Sequence, residues 1–238
     1  MIHEDIFYPS RKEELEKLLG GRLERTKSKA FIVPHMEMSR IASLYREVFS
    51  RIPDGAPVTV LLPLHREKLL KDEGKLAFSP DKDFWDMPSG RVKLAPSPFP
   101  SSLPYESEEF SGELLAAASA FYCPHSALRL VWSDVKKSED VRKLVSILRD
   151  FCDNNETYIV SSNLTEELKG AELKEKGASA IQLLESGEAL LDPIRKGRLR
   201  ACGGVLIETV SRLVPGRWKL IGTVPDEKYA AHAAFYRE

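Results

Sequence analysis

Short hydrophobic runs alternate along the chain with segments whose hydrophobic residues recur at the helical period. Two runs, at residues 30–33 and 58–62, each stop at a proline, which is typical of strands covered on both faces. Between them, hydrophobic residues recur about every 3.6 positions over residues 41–49, which predicts an amphipathic helix. A strand, a helix and a second strand in this order predict a parallel sheet with a crossover helix.

The same reasoning predicts elements along the rest of the chain. Ser10 and Glu13 form a capping box, so a first helix is expected to start there. Four prolines make residues 95–105 a predicted long loop. Further helices are predicted at about 11–19, 107–121, 138–152, 164–197 and 203–213. Further strands are predicted near 75–78, 91–94, 128–132, 157–160, 218–224 and 231–236.

The number and order of these elements bound the domain organisation. A chain of 238 residues is long enough for one large domain with a proper core. We therefore expect a single α/β domain over residues 1–238, with a largely parallel central sheet flanked by helices. Two domains joined by the proline-rich stretch 95–105 are the alternative.

Composition and charge exclude several classes of protein. Hydrophobic residues make up 42% and charged residues 30%, which is ordinary for a globular protein and not for a disordered or collagenous one. The formal net charge is −1, so no overall positive field favours nucleic acid or a membrane surface. Three cysteines without a CxxC spacing indicate neither a disulfide framework nor a zinc ribbon. With no recognisable leader or membrane-spanning run, we expect a cytoplasmic protein.

Two histidines occupy matching places in the pattern. His35 follows the first buried strand and His65 follows the second, so both are expected at the carboxyl ends of strands that one crossover makes neighbours. That edge is where open α/β sheets bind their ligands, and the two side chains are candidates for one pocket. The alternative for each is a structural role in a strand-to-helix turn. Three other histidines have no partner at ligand spacing: His3, His125 and His232.

Cys202 is a third candidate for chemistry. It stands where polar residues give way to a helical hydrophobic pattern, next to two glycines, so its thiol is expected at a helix N-terminus. The unpaired N–H groups and the helix dipole favour the thiolate there, which is the nucleophilic and metal-binding form. The alternative is a small residue packed closely beside the glycines. Cys123 and Cys152 are interpreted as bystanders in or near helices.

A set of short motifs, in this order and spacing, resembles the MEMO family, which includes the "AmmeMemoRadiSam system protein B" members. The resemblance extends over essentially the whole chain. It rests on the motifs Phe7-Tyr8-Pro9, Ile32-Val33-Pro34-His35, Leu62-Pro63-Leu64-His65, Glu109-Phe110-Ser111-Gly112-Glu113, Ser161-Ser162-Asn163-Leu164-Thr165-Glu166 and Ala201-Cys202-Gly203. It implies one MEMO-like α/β domain similar to the class III extradiol dioxygenases, with an active-site cleft.

The resemblance also implies a metal site. Two histidines and one cysteine bind iron or copper in the cleft of family members, and they fall on His35, His65 and Cys202. This donor set suits iron, copper or zinc better than magnesium or calcium. The implied protein is metal-binding, and the resemblance suggests a dioxygenase-like redox enzyme with a small-molecule or peptide ligand in the cleft. AMMECR-like and radical-SAM proteins are implied partners.

Several residues around the implied site differ from the family pattern. Phe110 stands where the family has a histidine, and Asn163 and Glu166 replace an acid and another histidine. Asn163, Glu166 and Glu109 remain candidates for hydrogen bonds that orient the ligands, with helix capping or a solvated surface as the alternative. Because catalysis needs proton-transfer groups beside the metal, the second functional hypothesis is a non-catalytic adaptor whose cleft binds a peptide or small anion.

Overall fold

One mixed sheet runs through the part of the chain that the structure, a computed structural model, describes: residues 3–65, 76–101, 109–165, 170–224 and 231–237. The strands are β1 (Ala30–Val33), β2 (Val58–Pro63), β3 (Phe84–Met87), β4 (Gly90–Leu94), β5 (Ala127–Ser133), β6 (Thr157–Ser161), β7 (Trp218–Val224) and β8 (His232–Arg237). The helices are α1 (Lys12–Leu19), α2 (Met38–Phe49), α3 (Phe110–Tyr122), α4 (Ser138–Phe151), α5 (Gly170–Ser186), α6 (Leu191–Arg195) and α7 (Gly204–Leu213).

The order of the strands across the sheet is β3-β4-β5-β2-β6-β1-β8-β7. The five strands from β4 to β1 in this order are parallel to one another, and the three outer strands pair antiparallel. Strands β4 and β5 pair across the proline-rich stretch 95–105, so chain from both sides of it builds one sheet. The described residues thus form one α/β domain with a mostly parallel sheet, as predicted.

Helices cover both faces of the sheet. Alternate residues of β1 show this most simply, because Phe31 and Val33 belong to the hydrophobic cluster on the side of α2 and α3. Ala30 and Ile32 belong to the cluster on the side of α4 and α7. All four residues are fully buried. This two-sided burial explains why the central strands are continuous hydrophobic runs rather than alternating patterns.

The predicted elements are largely confirmed, but the strand predicted near 75–78 is not a strand over its described residues, where Phe78 forms an isolated bridge to Trp132 of β5. There are three further corrections. First, β1 and β2 are not neighbours, because β6 lies between them. Second, no side chain caps α1, and the hydroxyl of Ser10 instead donates to Asp5, so the predicted capping box is wrong. Third, the hydrophobic pattern did not predict β3, an edge strand that alternates between exposed and buried residues.

Two predicted segments fall partly outside the described residues. The predicted helical region 164–197 contains α5 and α6, and its residues 166–169 are not described. The predicted loop 95–105 has neither helix nor strand over 95–101, and the remainder lies outside the described part. Among the described helices, none has the length and apolar character that crossing a membrane requires.

Candidate metal centre

The three residues implied as ligands come together at the carboxyl edge of the sheet. His35 lies two residues after β1, His65 two residues after β2, and Cys202 two residues before α7. One potential ligand atom from each residue lies within 4.8 Å of those of the other two. The two imidazole rings meet edge to face with their centroids 4.9 Å apart. The two histidines therefore lie side by side at this edge, as expected, although their strands flank β6 instead of pairing.

His35 is held between the end of β6 and the cysteine. Its side chain is buried, its Nδ1 atom lies 2.9 Å from the hydroxyl oxygen of Ser161, and its Nε2 atom lies 3.6 Å from the Sγ of Cys202. Burial and the nearby His65 and His232 lower the pKa of His35 well below its ordinary value. The ring is therefore neutral, which is the form of histidine that binds metal ions.

His65 is paired with a buried carboxylate. Its Nδ1 atom lies 2.8 Å from Oε2 of Glu109, and its backbone N–H donates to Oε1 of the same residue at 2.7 Å. Burial lowers the pKa of His65, but hydrogen bonds and charge interactions with Cys202 and Glu109 outweigh this effect and raise the pKa to about 10. The carboxylate and the sulfur atom beside the ring thus favour the protonated, positively charged form of His65.

Cys202 is positioned by close backbone packing at the start of α7. Its Sγ atom accepts a hydrogen bond from the backbone N–H of Asn163 at 3.2 Å. The next residue, Gly203, packs against the end of β6, where an added Cβ atom would lie 2.8 Å from Cβ of Ser162 and 2.9 Å from the carbonyl oxygen of Ser161. Both interpretations of this segment thus hold, since the glycine allows close packing and the thiol stands at a helix start.

Asn163, one of the residues expected to orient the ligands, acts on the backbone of His35 rather than on its ring. Its amide bonds both backbone groups of His35, with Oδ1 3.2 Å from the nitrogen and Nδ2 3.1 Å from the carbonyl oxygen. Asn163 Oδ1 also lies 2.9 Å from Nδ1 of His232, a buried residue at the start of β8. Asn163 therefore fixes the backbone of one histidine, whereas Glu109 contacts the ring of the other.

Sequence reasoning missed His232, because its contact depends on the antiparallel pairing of β8 with β1. A hydrophobic pattern does not report which distant strands pair. The third residue expected to orient the ligands, Glu166, lies outside the described residues.

Phe110 forms an aromatic wall beside the ligands. Its ring centroid lies 5.8 Å from that of His35, in an edge-to-face arrangement. On its other side it stacks on Phe7, with centroids 3.9 Å apart and planes 7° from parallel. At this position the chain offers an apolar surface and no group that could transfer a proton.

The distance between two of the ligand atoms and the donor types fit a transition-metal ion. Typical zinc bond lengths to sulfur and to histidine nitrogen, taken with a tetrahedral angle, place those two atoms about 3.6 Å apart. The separation of His35 Nε2 and Cys202 Sγ is 3.6 Å. Imidazole nitrogen and thiolate sulfur favour copper, iron or zinc over magnesium and calcium, which prefer oxygen. Three protein ligands also leave coordination positions free for a substrate.

Comparison with known proteins identifies a fold and no family. The chain matches no family model, and no curated protein matches it. A similar solved structure is the crystal structure of the uncharacterized protein JW3007 from Escherichia coli K12. The two share 8% sequence identity with a TM-score of 0.51, over 89% of this chain and 100% of that one. At this identity the similarity concerns the α/β architecture alone.

Proposed function

We propose that this chain is a MEMO-like metal-binding protein in which His35, His65 and Cys202 together hold one transition-metal ion, iron or copper, with zinc also suited to the donors. The observation that carries the proposal is the convergence of three ligand atoms within 4.8 Å from three separate parts of the chain. Donors that lie this far apart in sequence meet only through the fold.

The charges around the ligands support a cation at this position. Glu109 is almost completely buried, and a buried carboxylate needs a positive partner. The contacts of His65 with Glu109 and Cys202 raise the pKa of His65 and so favour its protonated ring as that partner. A metal ion between the thiolate and the imidazoles would replace that proton as the positive charge. His65 would then bind through Nε2 while Nδ1–H donates to Glu109, an arrangement common among metal-binding histidines.

We further propose a dioxygenase-like redox activity on a small molecule. Iron or copper would supply the redox chemistry. The chain itself contributes an oriented ligand set, through Ser161 and Glu109, and an apolar wall at Phe110 that keeps water from one side of His35. AMMECR-like and radical-SAM proteins are the partners that the family resemblance suggests.

The second functional hypothesis is a non-catalytic protein that binds a peptide or small anion in the cleft. The specific observation in its favour is Phe110, since the aromatic ring occupies a place beside His35 where a proton-transfer group would be expected in an enzyme. The two hypotheses share the metal site and differ in whether the bound metal turns over a substrate.

Metal titration tests the shared site. Under anaerobic, reducing conditions, Fe(II), Cu(I) and Zn(II) are titrated into the wild type and into His35→Ala, His65→Ala and Cys202→Ser. We expect one ion per chain and weaker binding in each variant. His125→Ala and Cys152→Ser are matched controls outside the site and should bind like the wild type. Wild-type protein that binds none of the three ions, or variants that all bind normally, would contradict the proposal.

Oxygen uptake separates the enzyme from the binding protein. The iron- or copper-loaded protein is supplied with a reductant or a catechol, and oxygen consumption is compared with that of the zinc-loaded protein and of Cys202→Ser. Metal-dependent consumption that the cysteine variant loses supports the redox enzyme. No consumption above the zinc-loaded control would favour the non-catalytic hypothesis.

A further inference from the structure

A cavity of about 580 Å³ is lined in part by Cys202. It lies between the end of β5, the start of α4, α6 and the first turn of α7. Of the three candidate ligands, only Cys202 lines it. Its apolar lining consists of Val135, Leu191, Ile194, Ala201, Val205 and Leu206. The volume falls within the range of small-molecule sites, roughly 300–1,000 Å³.

The charged side chains of this cavity neutralise one another at its rim. Lys136 lies 3.2 Å from the carboxylate of Asp134, and Arg195 lies 2.8 Å from that of Asp192. The two cationic side chains are 64% and 79% exposed, so their charges are largely hydrated as well as paired. An anionic ligand would have to compete with these carboxylates, whereas an uncharged ligand needs no counter-ion.

The floor of the cavity is apolar and well buried. Val135 and Leu206 are 8% and 2% exposed, and Ile194 and Val205 are half-buried against the same hydrophobic cluster. Placing an apolar body here removes hydrophobic surface from water on both sides, which is worth about 25 cal/mol for each Å² of apolar area. The lining thus favours an apolar ligand, and the paired charges at the rim disfavour a ligand with a net charge.

We propose that this cavity binds an uncharged, largely apolar small molecule of two to three aromatic rings and places it against the sulfur of Cys202. The inference deepens the proposed function and rests on it in one respect: only if Cys202 holds a metal ion would the bound molecule lie beside a metal centre. Binding of the molecule itself depends on the cavity alone and requires no metal.

A matched pair of fluorescent probes tests the size and the charge. N-phenyl-1-naphthylamine is uncharged, and 1-anilinonaphthalene-8-sulfonate has the same ring system with an added sulfonate. We expect saturable binding of the uncharged probe to the metal-free full-length chain and at least about tenfold weaker binding of the sulfonate. Equal or tighter binding of the sulfonate, or no saturable binding of the uncharged probe, would overturn the proposal.

Variants that fill the cavity with a larger side chain test where the probe binds. Ile194→Trp and, independently, Val205→Trp place an indole in the apolar lining, and each should weaken binding of the uncharged probe about tenfold or more. Leu220→Trp adds the same side chain at an exposed position on β7 outside the lining and should leave binding unchanged. Circular dichroism establishes which variants are folded. Wild-type affinity in both folded cavity variants would refute the assignment.

Alkylation measures the contact with Cys202. The rate at which iodoacetamide modifies the Cys202 peptide, followed by mass spectrometry, should fall when the uncharged probe is bound, while the rate at the partly exposed Cys152 should not change. An unchanged rate at Cys202 at saturating probe would contradict the placement.

The His35→Ala variant distinguishes failure of the metal site from failure of the cavity. It removes a proposed metal ligand but no part of the cavity lining, so it should bind the uncharged probe like the wild type.

Discussion

Both histidines of the candidate centre have their Nδ1 atoms engaged by buried side chains. Ser161 occupies this position for His35 and Glu109 for His65. With Nδ1 engaged, each ring can offer only Nε2 to a metal, and for His35 this atom already lies beside Cys202. Ser161 and Glu109 are not candidate ligands themselves, but by fixing the two rings they determine the geometry of the site as much as the ligands do.

The Glu109→Gln variant tests the importance of this orientation. The amide can still accept a hydrogen bond from His65 but cannot supply the negative charge that makes the imidazole a stronger donor, so metal affinity should fall by about 10–100-fold. Isothermal titration with Zn(II) measures the change. Glu47→Gln, which alters a partly exposed carboxylate paired with Arg25, is the control and should bind like the wild type. Unchanged affinity in Glu109→Gln would mean that the carboxylate does not act through His65.

The sequence predicts some of these residues and not others for a physical reason. His35 and His65 directly follow buried hydrophobic runs, and that pattern alone places them at one edge of a parallel sheet. Asn163 and His232 meet only because β8 pairs with β1, and no local pattern records that pairing. The sequence therefore indicates which residues stand at the edge but not which backbone groups and side chains they contact there.

Among the elements, the position of β6 differs most from expectation. A single crossover predicts that β1 and β2 are neighbours, yet β6 is inserted between them and pairs with both. Three buried parallel strands of similar hydrophobicity do not encode their order across a sheet, so periodicity could not predict it. The insertion has a functional consequence, because the end of β6 supplies Ser161 beneath His35 and the packing surface for Gly203.

The contact between α7 and β6 leads to a prediction about Gly203. An alanine here would place its Cβ atom 2.8–2.9 Å from atoms of Ser161 and Ser162, which is too close for either to remain in place. We expect Gly203→Ala to lower the free energy of unfolding by about 1–3 kcal/mol and to weaken metal binding by moving the preceding Cys202. Urea unfolding and metal titration measure the two effects.

Gly21→Ala is the matched control for this substitution, since nothing lies within 4 Å of a Cβ atom at that position. It should change neither stability nor metal affinity appreciably. If Gly203→Ala proved as harmless as Gly21→Ala, the close packing of α7 on β6 would not be what positions the thiol.

On the scale of the whole molecule, one end of the sheet presents the candidate site and the opposite end contains a buried ion pair. The carboxyl ends of the parallel strands present the candidate ligands. Near the amino ends, Arg129 of β5 donates to the hydroxyl of Thr59 in β2 at 2.7 Å and pairs with Glu156, which immediately precedes β6. This ion pair is buried, with side-chain exposures of 8% and 1%. It connects three adjacent strands at the end of the sheet opposite the site.

The separation of these two ends predicts a variant that loses stability without losing metal affinity. Glu156→Gln leaves the guanidinium of Arg129 buried without its counter-ion, which should cost about 3–5 kcal/mol of unfolding free energy. Glu47→Gln breaks a pair whose side chains are 37% and 28% exposed and should cost at most about 1 kcal/mol. Urea unfolding compares the two variants, and zinc titration of the folded Glu156→Gln protein should give wild-type affinity. Replacing both partners, as Arg129→Met with Glu156→Leu, should recover most of the loss because no charge then remains buried. The prediction would be wrong if Glu156→Gln were as stable as the wild type, or if the folded variant bound zinc weakly. Either result would mean that stability and metal binding do not depend on opposite ends of the sheet.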